Sequence, residues 1–366
     1  MLKKKNNILI LFSVMMMFLG VSAEAKVRIL LVPGHEPNFG GAEYSGIKER
    51  DLVLGLTEEL RKYISQNKNF EVTVVRNNKG WLPEFENYFT EKWDEIKSWK
   101  NNMKAIASST IVFSTTSQQV PHNDAPPDVA VRLYGLNKWA NEKLVDVTIH
   151  IHFNDYPGHT QAGPGIYSGF SIYVPSLQYK NGPASKTLAE HVFKRLKKYN
   201  PVSDLPGESL GVVEDNSLIA LGSNNTANAA SLLIEYGYIY EPQLVNVKTR
   251  SLFMKDLAWQ TYLGIQDFFN PKHKDGSKGT IVFPYKWTKS FEGKKSPALD
   301  VFALQTVLIK EGMYPPKGKS LNECPRSGIM GPCTVEALNA FQKKYGVQSG
   351  TGKIGPKTLR VLRRGY

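Results

Sequence analysis

Three short apolar runs in this chain each lead to an ionisable side chain, and that feature most narrows what the chain can fold into. Residues 26–32 run into Pro33-Gly34-His35, residues 145–153 carry His152 near their end, and residues 231–234 run directly into Glu235. Between the first two, Leu52, Leu56, Leu60 and Ile64 recur at helical spacing, and residues 70–75 form another β-rich run. Strand, helix, strand in that order reads as the βαβ opening of an α/β sheet. Open α/β sheets form their ligand sites at the carboxyl edge of the strands. His35, on its Pro-Gly turn, and His152 and Glu235, near strand ends, are expected there. Glu49 follows Gly46 at the start of the intervening helix. Two imidazoles and a carboxylate make a three-ligand zinc set with one position open. A fourth, unliganded glutamate could take and return a proton.

At 366 residues the chain is too long for one ordinary core. A hydrophobic share of 41% with 11% aromatics excludes a disordered chain. Residues 169–174 read as a strand and 185–199 as a helix with a basic end, the sign its dipole favours. The aromatic stripe Trp81, Phe85, Tyr88, Trp93 and Trp99, with Phe89 and Ile96, reads as an amphipathic helix facing the core, with a lid beside the site as the alternative. Past residue 270, a stretch rich in Lys, Gly and polar residues reads as a linker. The C-terminal part then repeats itself: Gly328-Ile329-Met330-Gly331-Pro332-Cys333-Thr334 is echoed by Gly352-Lys353-Ile354-Gly355-Pro356-Lys357-Thr358. Each copy places Gly in a tight turn and Pro at a first helical position. With an earlier helix carrying Val301, Leu304 and Leu308, three short helices around a small core are expected. The resulting division is 1–25 export signal, 26–270 catalytic domain, 271–291 linker and 292–366 helical domain.

The export signal rests on Lys3, Lys4 and Lys5 ahead of an apolar run at 8–21, ending in Ala23-Glu24-Ala25. That run is short for a bilayer span, which takes about 20 residues. An uncleaved anchor is the alternative; no later stretch is apolar enough to cross a membrane. Periplasm and extracellular wall both stay open. In an oxidising compartment Cys324 and Cys333 read as a disulfide. The formal charge of +13 favours an anionic partner. No aromatic platform or recognition helix sits in the basic regions, so nucleic acid is not that partner.

Val32-Pro33-Gly34-His35 with Gly46-Ile47-Lys48-Glu49-Arg50-Asp51, then Ile151-His152-Phe153-Asn154, then Leu232-Leu233-Ile234-Glu235-Tyr236-Gly237-Tyr238 resembles the zinc-dependent N-acetylmuramoyl-L-alanine amidases of the type-3 family. Ala140-Asn141 stands upstream of His152 at the family's distance. The resemblance covers roughly residues 27–268. It implies a twisted mixed sheet flanked by helices, zinc (Zn2+) held by His35, Glu49 and His152, and Glu235 as the catalytic glutamate. The implied reaction is hydrolysis of the amide joining the lactyl group of N-acetylmuramic acid to the L-alanine of the stem peptide. Glu235 then acts as base and afterwards protonates the leaving amine.

Five positions depart from the family pattern: Val32 and Glu36 around Pro-Gly-His, His150 where Ser is usual, and Tyr240-Glu241 after the last motif. Residues 296–364 resemble a three-helix peptidoglycan-binding domain, which implies anchoring on the wall. His150 shares a strand face with His152, leaving ligand, supporting donor and purely structural roles open. His122, His159, His191 and His273 read as solvated or locally bonded. A zinc peptidase cutting within the stem peptide, and a wall-binding protein without activity, are the competing readings. Oligomeric state is left open.

Overall fold

The apolar runs do become neighbouring strands of one sheet. A computed structural model describes residues 25–108, 120–122, 124–156, 158–160, 163–273, 279–347 and 352–366; the export signal, apart from Ala25, lies outside them. The first half contains β1 (Val27–Pro33), the small hairpin β2 (Glu43–Tyr44) and β3 (Ile47–Lys48), α1 (Glu49–Ser65) and β4 (Phe70–Val74). A second small hairpin, β5 (Arg76–Asn77) and β6 (Gly80–Trp81), leads to α2 (Pro83–Ala107), α3 (Pro127–Glu142) and β7 (Val147–Asn154). Then come β8 (Ser171–Val174), α4 (Gly182–Leu196), β9 (Val212–Glu214), β10 (Ala230–Tyr238), α5 (Pro242–Val245) and α6 (Val247–Phe269). The C-terminal region adds α7 (Ala298–Lys310), α8 (Pro332–Lys344) and α9 (Pro356–Gly365).

The main sheet has six strands in the order β4-β1-β7-β10-β8-β9. Strands β4, β1, β7 and β10 are mutually parallel, β8 runs antiparallel to β10, and β9 parallels β8. Both faces are covered, which is why the central strands read as nearly unbroken apolar runs. Ile29 and Leu31 of β1, Ile149 and Ile151 of β7, and Leu232 and Ile234 of β10 join the core that includes Leu56 and Leu60 of α1 and Leu257 of α6. Leu30 and Val32 pack on the other face, with Phe85, Phe89 and Ile96 of α2 and Tyr134 and Trp139 of α3. Trp81 lies in β6, ahead of the helix, and the rest of the aromatic stripe, on α2, faces the core: Phe85 lies 4.7 Å from Trp139 and Trp99 lies 6.3 Å from Tyr134, ring centre to ring centre.

The C-terminal echo is a repeated cap. Gly331 and Gly355 precede helices that open on Pro332 and Pro356. Gly328 and Gly352, at φ 76° and 68°, make the left-handed turn ahead of each. Each turn is tied to the previous helix by a buried glutamine. Gln305 Nε2 donates to Thr334 Oγ1 (2.9 Å) and Ile329 O (3.2 Å). Gln342 Nε2 donates to Thr358 Oγ1 (3.0 Å) and Lys353 O (2.7 Å). Cys324 and Cys333 are bonded, with their Cα atoms 5.9 Å apart.

Composition reads 271–279 as a linker and the division carries it on to 291, yet the second half of that span is packed. Val282, Phe283, Trp287 and Phe291 are buried in the main core. Tyr285 N donates to Tyr366 O (3.0 Å), and Phe291 and Ile354 exchange backbone hydrogen bonds. Among the described residues no helix is long and apolar enough to cross a membrane.

Candidate metal centre and active site

Register brings the singled-out residues to one edge. Pro33 of β1 pairs with Ile151 of β7, and His152 pairs directly with Glu235 of β10. Paired residues share a sheet face, so His152 and Glu235 look the same way. His35 lies two residues past the end of β1 at φ 65°, a left-handed backbone that few non-glycine residues adopt. Gly34 N donates to Ile151 O (2.9 Å), which holds the turn against β7. A Cβ on Gly34 would stand 2.4 Å from His152 Cε1, and one on Gly41 would stand 3.0 Å from His35 Cδ2. Only glycine allows these backbones to approach the two imidazoles so closely.

Glu49 is the hinge of the arrangement. Its Oε1 lies 2.8 Å from His35 Nε2 and 3.4 Å from His152 Nδ1. The two rings meet edge to face with centres 5.0 Å apart. Backbone amides fix the carboxylate from both sides: Ala42 N donates to Oε2 (2.9 Å) and Phe153 N donates to Oε1 (3.1 Å). Glu49 N donates in turn to Ala42 O (2.8 Å), closing a reciprocal clamp. Burial alone would raise the Glu49 carboxyl, but its hydrogen bonds and charge contact with His152 and His35 hold it well below the usual range. Burial likewise keeps His152 below the ordinary histidine value despite its bond to Glu49. An ionised carboxylate set between two imidazoles is the donor set a divalent cation needs. One donor atom from each of the three residues lies within 4.8 Å of the others, so the cluster is able to hold a metal ion.

Glu235 is not part of that cluster. Its Oε2 is shut from solvent and meets no hydrogen-bond partner. Burial first, then the charges of Glu49 and Glu208, push its carboxyl well above the ordinary range. A carboxyl pushed up in this way holds a proton more firmly than an exposed one.

Several supporting residues gave no local signal in the sequence. Arg76, buried just past β4, donates from Nε to Pro33 O (3.3 Å) and from Nη2 to Gly34 O and Arg50 O (3.4 Å). One guanidinium thus braces both the turn that presents His35 and the helix that presents Glu49. Buried Glu208 accepts from Asn154 Nδ2 (2.8 Å), Tyr173 Oη (2.6 Å), Tyr238 Oη (3.2 Å) and Ser203 Oγ. The departures from the family pattern are also accommodated. Glu36 pairs with Arg132 of α3 (2.9 Å), and Glu241 accepts from the amides of Gly169 (2.8 Å) and Tyr238 (2.9 Å).

His150 is buried and hydrogen-bonded to the Ala220 backbone. Burial and then the His152 charge bring it down to about 3, outweighing that bond. It stands outside the three-residue cluster. The remaining histidines are locally engaged: His122 with Asp215 (3.1 Å), His159 with Asp155 (2.9 Å), His273 with Asn270 O (3.0 Å), and His191 against Phe268.

Residues 29–267 match the family model described as N-acetylmuramoyl-L-alanine amidase. The chain belongs to that family. Residues 298–362 of the amidase match the model of a peptidoglycan binding domain. The amidase is 21% identical over 268 residues to an endolysin of Bacillus phage SPP1, covering 73% of each chain. Among solved structures it is similar to an N-acetylmuramoyl-L-alanine amidase from Clostridium difficile 630 (18% identity, TM-score 0.41, 68% of this chain and 99% of that one). It is also similar to Ami1 from Mycobacterium smegmatis (16% identity, TM-score 0.45, 68% and 99%).

Proposed function

We propose that His35, Glu49 and His152 hold zinc and that Glu235 moves the proton, in an exported peptidoglycan amidase with a wall-binding C-terminal region. The observation that carries this reading is the convergence of three donors on one point, beside a shielded carboxyl that pairs in register with one of them. When bound there, zinc supplies Lewis-acid chemistry, polarising the scissile carbonyl and making water acidic enough to attack at neutral pH.

The chain's residues do the rest. The backbone amides of Ala42 and Phe153 aim Glu49, and its contacts with His152 and His35 keep it ionised. Glu235 accepts the proton of the attacking water and returns it to the leaving amine of L-alanine. Arg76 fixes the carbonyls around the His35 turn. We assign 26–270 to the catalytic domain, 271–291 to the connection and 292–366 to the wall-binding domain, with 1–25 as the export signal. The Cys324–Cys333 bond fits an oxidising compartment, whether periplasm or extracellular wall.

Elemental analysis of the purified mature chain tests the metal assignment. One zinc per chain is expected, lost in His152→Ala, with wall solubilisation stopped by a chelator and restored by added zinc. A metal-free chain that digests walls undisturbed by chelation would overturn it. Arg76→Met should lower zinc affinity by about 10–100-fold, the usual cost of removing an outer support. Competition against a chromophoric chelator measures this, and wild-type affinity in the variant would deny Arg76 its bracing role.

A further inference from the structure

The C-terminal region meets the amidase core through the loop that the disulfide closes. Arg326, inside that loop, is 1% exposed and its ion-pair partner Asp256 on α6 is 0% exposed, with Nη2 and Oδ2 2.7 Å apart. The same guanidinium reaches Asn200 Oδ1 (3.3 Å) on the amidase side and Thr306 Oγ1 (3.1 Å) on α7. It lies over the rings of Phe302 (4.4 Å), again from α7, and Tyr199 (5.2 Å), again from the amidase side. Asp256 is held in turn by Thr280 Oγ1 (2.7 Å), just ahead of the packed Val282 and Phe283. Around this pair, Asn322 Nδ2 donates to Val202 O (2.6 Å), and Phe253 meets Phe302 edge to face. At Gly328 the backbone comes so close that a Cβ would stand 2.8 Å from Ala298 O and 3.1 Å from Thr249 Cγ2.

We propose that the Cys324–Cys333 loop is a docking element whose partner is the amidase core of the same chain, with Arg326 as its plug. The two regions then act as one rigid body instead of a tethered pair. Both charges would be well solvated if the regions separated, so the pair adds little net attraction of its own. What it adds is orientation. Apolar packing around Phe253 and Phe302 draws the surfaces together, and only one placement leaves neither Arg326 nor Asp256 buried and uncompensated. The covalent closure from Cys324 to Cys333 narrows the conformations open to the loop before docking, which lowers the entropy lost on contact. A tethered module raises local concentration over a radius set by its linker. A docked one fixes the distance from the wall-binding region to the metal site, so the enzyme acts at a set reach from its anchor. That last consequence rests on the proposed function; the docking itself does not.

The full mature chain tests it without any activity assay. X-ray scattering and hydrogen exchange would be recorded for the wild type, Arg326→Met, Arg326→Met with Asp256→Leu, and Cys324→Ala with Cys333→Ala. The wild type should scatter as one compact particle. Arg326→Met alone should raise exchange in both α6 and α7 by about tenfold or more while β1 and β7 keep their protection. The Asp256→Leu companion should bring part of that protection back, because no unpaired charge then remains buried. The cysteine double variant should loosen both helices in the same direction. Wild-type scattering that requires an ensemble of separations would overturn the proposal, as would unchanged α6 and α7 protection in Arg326→Met. If Arg326→Met unfolds throughout, the wild-type scattering and the cysteine variant decide. A cysteine variant that exchanges like the wild type would remove the loop from the account.

Discussion

Glu235→Gln should yield a folded, zinc-binding protein that hydrolyses peptidoglycan about 10²–10⁴-fold more slowly than the wild type, the range of a lost general acid–base group. Glutamine keeps the shape of the side chain but can neither accept the proton of water nor hand it to the leaving amine. The three-donor cluster is untouched, since Glu235 lies outside it. Stability should hold or rise. The variant removes a shielded carboxyl whose Oε2 finds no partner, and with it the repulsion from Glu49 and Glu208. Single-turnover rates, zinc content and thermal midpoint together read the result. A rate within a few-fold of wild type would give the proton transfer to another group.

Gly34→Ala should disable the site without disturbing the sheet. The added methyl would sit 2.4 Å from His152 Cε1, a distance that cannot be tolerated, and the imidazole is the softer partner. It must swing off the position opposite Glu49, so zinc affinity should fall by about 100-fold or more, at least the upper cost of disturbing a ligand's support. Activity at limiting zinc should fall with it. Gly55→Ala is the control, in the same α1 helix that carries Glu49. Its Cβ would meet nothing nearer than 3.9 Å, at Met254 Cε. That substitution should leave zinc binding unchanged and stabilise by about 0.5–1 kcal/mol through helix propensity. Chelator competition and thermal unfolding separate the two. Equal zinc affinity in Gly34→Ala and wild type would mean that His152 is not held where the account needs it.

The sheet could be read from the chain because β1, β7 and β10 are buried on both faces, leaving short apolar runs that no amphipathic helix would produce. Their register was not in the pattern. That Glu235 stands opposite His152 follows from the pairing of β7 and β10, residues more than eighty positions apart. His35, Glu49 and His152 are too scattered for spacing to mark a metal site, and the family motifs were needed to join them. Arg76 and Glu208 carry no sequence signal for a related reason. Each acts through partners that folding brings from elsewhere, carbonyls at Pro33 and Gly34 for one and hydroxyls at Tyr173 and Tyr238 for the other.

The linker shows the limit of composition. The Lys- and Gly-rich stretch past residue 270 hid the aromatic strap behind it, where Phe283, Trp287 and Phe291 enter the core. The cap echo at 328–334 and 352–358 was plain in sequence. The glutamines that tie it down, Gln305 and Gln342, became meaningful only when their amides met the turns.

The most direct test is the chemistry of the cut. Purified peptidoglycan would be digested with the mature chain, with and without a zinc chelator and beside Glu235→Gln, and the released fragments identified by mass. Stem peptides beginning with a free L-alanine amine, absent on chelation and nearly absent in the variant, are the predicted result. Fragments cut within the stem peptide, or the same L-alanine-ended peptides released by chelated protein, would contradict it.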